Sequence, residues 1–116
     1  MQYLMLIYAD ETALATMTPE KRQSVISAYR RFTTETQDKK LYLGGNPLQP
    51  TASATTVRLR DGKTLTTDGP FAETKEQLGG YYLLDCKDLD EAIECAAKIP
   101  GAAYGSIEVR PIMVFS

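Results

Sequence analysis

The sequence of 116 residues has no histidine and no tryptophan, and only two cysteines. The absence of histidine excludes a Ser-His-Asp triad, a histidine-ligated zinc site and a histidine general base. The spacing of Cys86 and Cys95 favours two buried thiols in a reducing cytosol over a disulfide. We therefore expect a cytoplasmic protein with no metal site and no cofactor.

The sequence also lacks an excess of charge and a long hydrophobic run. Thirteen basic residues against fifteen acidic ones give a net charge of -2, and the basic residues are scattered, which argues against nucleic-acid binding. The apolar start is too short for a membrane span and has no basic lead, so we expect neither a signal peptide nor a membrane anchor. The length and the 43% hydrophobic content predict one domain over residues 1–116.

The first half of the sequence predicts strand, helix and strand. Residues 2–8 are apolar on both sides of a strand, which requires cover on both faces. Helices of the same chain can supply one cover, and we expect a second copy to supply the other, giving a homodimer. Thr18 caps a helix that runs to about Lys40. Residues 41–43 then form a short strand that the run Gly44-Gly45-Asn46-Pro47 stops.

The second half predicts a hairpin, a strand, a helix and a last strand. Asp61-Gly62 between residues 55–60 and 63–67 is typical of a two-residue type I′ turn. A strand over 81–85 follows, then a helix that Asp88 caps, and a strand from Ser106 to about Val114. The order of elements predicts an α+β fold with a ferredoxin-like βαββαβ plan and an inserted hairpin.

The densest group of functional side chains lies between the hairpin and the next strand, in residues 67–76. Asp68 and Glu73 are the candidates for catalytic acid or base, and Phe71 would shield Glu73 and raise its pKa. The alternatives are structural: Asp68 begins an Asp-Gly-Pro turn, and the acidic residues after it form a solvated helical turn. The sequence leaves both interpretations open.

Five further residues are candidates for ligand binding. Glu108 and Arg110 are two apart on one strand and point the same way, as a buried ion pair or as an arginine held ready for an anion. Gly79-Gly80 permits close backbone approach or forms a bulge. Tyr8 and Tyr82 alternate with apolar neighbours, and the ordinary role of such tyrosines is to pack in the core with the hydroxyl hydrogen-bonded. The ligand-binding candidates are Tyr8, Lys75, Tyr82, Glu108 and Arg110.

These motifs together resemble the YCII-related, or DGPF-domain, family over nearly the whole chain. The resemblance implies a dimeric α/β barrel of ferredoxin-like subunits and a link to extracytoplasmic-function sigma factors. The sequence departs from the family at Asn46, where many relatives are acidic, and at Cys95, where tryptophan is frequent. A distant branch is thought to use a His–Asp pair, which this chain cannot supply. The most specific block is Asp68-Gly69-Pro70-Phe71-Ala72-Glu73-Thr74-Lys75-Glu76. The other segments that carry the resemblance are Tyr8-Ala9-Asp10-Glu11, Leu43-Gly44-Gly45 with Leu48, Ala54-Thr55-Thr56-Val57-Arg58, Asp61-Gly62, Gly79-Gly80-Tyr81-Tyr82, Asp88-Leu89-Asp90-Glu91-Ala92 and Ile107-Glu108-Val109-Arg110-Pro111.

Three functions are compatible with these patterns. The first is binding of a small polar or anionic metabolite in a pocket near the dimer seam, with carboxylate acid/base chemistry as an extension. The second is a regulatory or protein-binding module that contacts a sigma factor. In the third, the segment 67–76 is architectural and holds the hairpin and the dimer together.

Overall fold

The computed structural model describes residues 1–115 and shows a mixed α+β fold, as the sequence predicts. No helix in this range is long and apolar enough to cross a membrane. Short 3₁₀ turns occupy Thr51–Ser53 and Pro100–Ala103. The remaining elements are, in chain order, β1 (Gln2–Ala9), α1 (Glu11–Ala15), α2 (Pro19–Asp38), β2 (Tyr42–Pro47), β3 (Thr55–Arg60), β4 (Lys63–Asp68), β5 (Gln77–Asp85), α3 (Leu89–Lys98) and β6 (Ser106–Pro111).

Four strands form the main sheet, in the order β2-β5-β1-β6, and all neighbours are antiparallel. Side chains alternate across β1, so Tyr3, Met5 and Ile7 are buried while the side chains between them are partly exposed. The buried face packs against Phe32 of α2 and Ala92 of α3. We call it the inner face, and the opposite one the open face.

Local sequence explains where the two long helices begin. Thr18 accepts a hydrogen bond from the Lys21 amide at 3.1 Å, and Asp88 accepts one from the Glu91 amide at 2.9 Å. The predicted bounds of both helices are confirmed within two residues. The short helix α1, which Asp10 caps, was not predicted, because five residues are too few for a periodic pattern.

Apolar residues recur at helical spacing on both helices, but only part of each apolar stripe is buried. On α3, Ala92, Ala96 and the following Ile99 are buried, but Ile93 is 52% exposed and Leu89 is also exposed. On α2, Phe32 is buried and Ile26 is exposed. Each helix therefore contacts the sheet along a narrower strip than apolar spacing indicates.

Strand β2 corrects a prediction, because it continues through Gly44-Gly45-Asn46-Pro47 instead of stopping there. The glycines permit close packing: a Cβ on Gly45 would lie 2.8 Å from the Tyr81 carbonyl oxygen and from the Tyr82 ring. Gly80 is also confined, though less tightly, since a Cβ there would lie 3.0 Å from the Asn46 carbonyl oxygen. Its neighbour Gly79 is skipped in the β1–β5 register, as in a bulge. Of the two interpretations of Gly79-Gly80, the bulge applies to Gly79 and the close backbone approach applies to Gly80.

The β3–β4 hairpin has the predicted register, with Val57 opposite Thr66. Positive φ angles of 51° at Asp61 and 74° at Gly62 match the predicted turn. The hairpin forms a sheet of its own, and β4 is exposed along its length. We call residues 55–68 the hairpin arm. The last strand is shorter than predicted, since β6 ends at Pro111.

Candidate functional site

A cleft of about 330 Å³ lies on the inner face, between α2 and the strands β2 and β5. Most of its lining is aromatic or aliphatic, which suits a small ligand with an apolar body. The bulge and the close β2–β5 contact contribute backbone to its floor. The residues that line the cleft are Ile7, Ala9, Glu11, Leu14, Tyr29, Thr33, Tyr42, Gly45, Asn46, Pro47, Gln77, Gly79, Gly80, Tyr81, Tyr82 and Tyr104.

Tyr82 joins the hydrophobic core to the cleft. Its ring lies 4.9 Å from the Phe32 ring and 6.2 Å from the Tyr42 ring, between centroids. Its hydroxyl is hydrogen-bonded to Thr33 Oγ1 at 3.1 Å, which satisfies the one polar atom of the ring. Burial raises the pKa of Tyr82, so the phenol stays neutral. The cleft therefore has a rigid aromatic wall.

A second phenol, that of Tyr29, approaches the cleft from α2. A Cβ on Gly101 would lie 2.8 Å from the Tyr29 hydroxyl, so this glycine leaves room for the phenol. Burial raises the pKa of Tyr29, and the nearby Tyr104 phenol raises it further. Tyr29 consequently acts as a neutral hydrogen-bonding group at physiological pH.

Glu11 lies where the cleft meets the loop between β2 and β3. Its Oε1 accepts a hydrogen bond from the Thr51 amide at 2.8 Å, and its Oε2 accepts one from Thr51 Oγ1 at 2.7 Å. The Glu11 amide donates to Gln77 Oε1 at 2.9 Å. These contacts fix the carboxylate in place. Within residues 1–115, no group of three or more histidine, cysteine or acidic side chains is placed to hold a metal ion.

Three of the predicted site residues meet on the open face. Arg110 donates a hydrogen bond to Glu108 Oε2 at 2.6 Å, and the Tyr8 hydroxyl donates to Glu108 Oε1 at 3.3 Å. The Arg110 side chain is 66% exposed and that of Glu108 is 41% exposed. The hydrogen bond from Arg110 lowers the pKa of Glu108, and the same bond raises the pKa of Arg110. Glu108 and Arg110 therefore pair with each other, as one of the two interpretations expected, but the pair is exposed on the single chain and is not buried.

Consecutive residues of a strand point to opposite faces, so the Tyr8 group and the cleft lie on different sides of the sheet. Of the seven predicted site residues, Tyr82 lines the cleft and the other six do not. The structure therefore does not gather the predicted set into one pocket.

The remaining three, Asp68, Glu73 and Lys75, are exposed. Asp68 ends β4, and Gly69 after it has φ 98° and donates its amide to the Ala54 carbonyl at 2.7 Å. Phe71 is 79% exposed, so the shielding expected for Glu73 is absent from the described chain. The hydrogen bond from Thr56 to the Gly69 carbonyl, at 2.8 Å, ties this turn to the hairpin arm.

Sequence reasoning missed the cleft because its lining comes from elements far apart in the chain. Tyr29 and Thr33 lie one turn apart on α2, and the structure places both at the cleft wall. Glu11 and Tyr104 were not among the candidate site residues, because neither stood in a pattern that indicated a chemical role. The abundance of tyrosine, seven residues with no tryptophan, was the available signal.

Fold and cleft define a small α+β protein that carries a phenol-lined cleft between a helix and an antiparallel sheet. A family model described as the YCII-related domain matches residues 1–116, so the chain belongs to the YCII-related family. It is 40% identical over 121 residues to "Uncharacterized protein R00369" of Rhizobium meliloti (strain 1021). That match covers 99% of this chain and 94% of the relative.

Proposed function

We propose that the protein binds a small molecule in the cleft between α2 and the main sheet. The observation that carries this proposal is the phenol-lined cavity of about 330 Å³, near the lower end of the range for ligand sites. The Tyr82 and Thr33 hydroxyls are already held by one another, so the wall needs little reordering when a ligand enters. The apolar lining favours a ligand with a planar, apolar body over the small polar or anionic metabolite that the sequence suggested.

A pair of leucine substitutions tests this proposal. Leu14 lines the cleft, and Leu14→Trp would fill part of it; Leu89, exposed on α3 outside the cleft, provides the matched control Leu89→Trp. A panel of small aromatic compounds is screened by thermal shift, and hits are measured by calorimetry. We expect hits on the wild-type protein and on Leu89→Trp, and at least about tenfold weaker binding to Leu14→Trp. Equal binding to both variants would place the ligand elsewhere.

We also propose that the protein is a homodimer of ferredoxin-like subunits. The strand order β2-β5-β1-β6, with β5 between the two strands that α2 connects, supports that assignment of the subunit. Leu4, Leu6 and Leu83 are partly exposed on the open face, where a second copy would cover them. Such a dimer would leave the cleft of each subunit on the far side of its sheet.

A protein-binding role is the second candidate, and the hairpin arm supports it. Val57 and Leu59 are exposed on one face of this arm and Leu65 is exposed on the other, and exposed apolar side chains of this kind occur at interaction surfaces. The resemblance suggests an extracytoplasmic-function sigma factor as the partner. Capture experiments with the wild-type protein and with Leu59→Thr test this role. A sigma factor retained by the first and lost by the second would support it, and equal recovery from both would contradict it.

A further inference from the structure

The charge of the cleft is set by one side chain. Of the lining side chains in residues 1–115, Glu11 is the one that is charged at neutral pH, and no lysine or arginine is among them. The other polar groups of the lining are phenols, a threonine hydroxyl and side-chain amides, all of them neutral. A ligand in the cleft therefore meets a net negative environment.

The Glu11 carboxylate is held before any ligand arrives and still has capacity to accept hydrogen bonds. Each of its oxygens accepts one bond from Thr51, at 2.8 Å and 2.7 Å. An ionised carboxylate offers about four acceptor sites, so about two remain for a ligand. Because Thr51 already fixes the side chain, little conformational entropy is lost when the carboxylate binds a donor.

We infer that the ligand of the cleft has an apolar, aromatic-sized body and a hydrogen-bond donor, an ammonium or hydroxyl group, that binds the Glu11 carboxylate. This inference rests on the proposed binding function and gives it a ligand class. A carboxylate or phosphate in the same position would lie against Glu11 without a cation to offset the repulsion, and would be rejected. Of the polar or anionic metabolites expected from the sequence, this ligand class excludes the anionic ones.

Arg30 is a cationic side chain that lies beside the cleft without lining it. It lines a shallower neighbouring groove on α2, which shares Tyr29, Thr33 and Pro47 with the cleft. Arg30 itself is exposed and does not line the cleft. It therefore serves as the charged control: a ligand confined to the cleft should not respond to Arg30→Gln.

Three probes with one body and different end groups test the ligand class: 2-naphthylmethylamine, 2-naphthylmethanol and 2-naphthoate. We expect the amine to bind the wild-type protein at least about tenfold more tightly than the carboxylate, with the alcohol between them. Glu11→Gln should weaken binding of the amine by about tenfold or more, and it should reduce the ratio of the affinity for the amine to the affinity for the carboxylate. Arg30→Gln should leave all three affinities within about twofold, because a surface charge outside the cleft is screened by solvent.

The outcomes separate the two proposals. Tighter binding of 2-naphthoate than of the amine, abolished by Leu14→Trp, would overturn the ligand class while supporting the binding function. Failure of all three probes to bind the wild-type protein would count against the cleft as a binding site for aromatic molecules and would overturn both. The order of affinities on the wild-type protein decides the ligand class even if Glu11→Gln fails to fold.

Discussion

At the scale of single residues, the tyrosines of the cleft combine packing with hydrogen bonding. Tyr82 packs on Phe32 with its ring and bonds Thr33 with its hydroxyl, so it satisfies the ordinary role that the sequence assigned to it. Tyr29 also packs against the hydrophobic core and lines the cleft from α2. Phenols in such positions are neutral donors and acceptors, and their ionisation would place charge in an apolar wall.

Tyr29 should make the protein sensitive to alkali. The pKa of Tyr29 is higher in the folded chain than the ordinary value of 10.0, so the folded state favours the neutral phenol. The resulting contribution to the free energy of unfolding is complete below pH 10 and is lost as pH rises through the folded pKa. We predict that the free energy of unfolding, measured in urea, falls less steeply above pH 10 in Tyr29→Phe than in the wild-type protein. The difference is at most about 1.4 kcal/mol per pH unit, the limit for one proton. The remaining titrating groups are common to both proteins, so equal slopes would contradict the assignment.

The thiol of Cys86 should be inert in the folded protein. It is 1% exposed, and burial, with a smaller effect of Cys95, raises its pKa to about 12. At pH 8 the thiolate fraction is then on the order of 10⁻⁴, and the thiolate is the reactive form. In Cys95→Ser, we predict that Ellman's reagent modifies Cys86 only as fast as the chain opens, and rapidly in urea. Modification at the rate of a free thiol in native buffer would show that the site is accessible.

At the scale of elements, β2 shows how glycine can continue a strand. Gly45 lies so close to Tyr81 and Tyr82 that a methyl group would collide with backbone and ring, whereas nothing lies within 4 Å of a Cβ on Gly44. Neither glycine has positive φ. Both positions are glycines of the same strand, and they differ in the space available for a side chain. They therefore serve as a matched pair for substitution.

We predict opposite effects of alanine at these two positions. Gly45→Ala should destabilise the protein by about 1–3 kcal/mol, because the backbone of β2 must move away from β5. Gly44→Ala should be neutral or stabilise it by up to about 1 kcal/mol, because alanine restricts the unfolded chain. Urea unfolding of both variants measures the difference. Equal stability of the two would show that β2 is not held against β5 as described.

The local sequence pattern predicted an element correctly where that element depends on its own residues. The caps at Thr18 and Asp88 and the turn at Asp61-Gly62 gave correct helix starts and a correct hairpin register. The run from Gly44 to Pro47 was misleading because its glycines are required by the close contact with β5, a strand that begins only at Gln77. The cleft was not predictable for the same reason: Glu11, Tyr29 and Tyr82 become neighbours only when the sheet forms.

At the scale of the whole molecule, the single chain is extended for its length. Its radius of gyration is 16.2 Å, against about 13 Å expected for a compact domain of this size. The hairpin arm has no ladder to the main sheet and leaves its apolar side chains exposed. An open sheet face and an uncovered arm are two separate surfaces that one chain does not bury.

The open face provides the test of the dimer. Leu6 lies there opposite Tyr81 and Glu108, and in a symmetric dimer each substitution is present twice. We predict that the wild-type protein sediments as a dimer at micromolar concentration and that Leu6→Gln weakens association at least about tenfold, because buried leucine side chains contribute about 2 kcal/mol each.

Ile93→Gln is the matched control for this prediction, since Ile93 is exposed on α3 and packs on no part of the open face. It should sediment like the wild-type protein. The Glu108–Arg110 pair adds a second readout: a dimer that covers the open face removes both charges from solvent, so its dissociation constant should change little with salt, as buried pairs are weakly screened. A wild-type protein that sediments as a single folded chain at micromolar concentration would contradict the dimer, and an Ile93→Gln protein that dissociates like Leu6→Gln would move the interface to the helices.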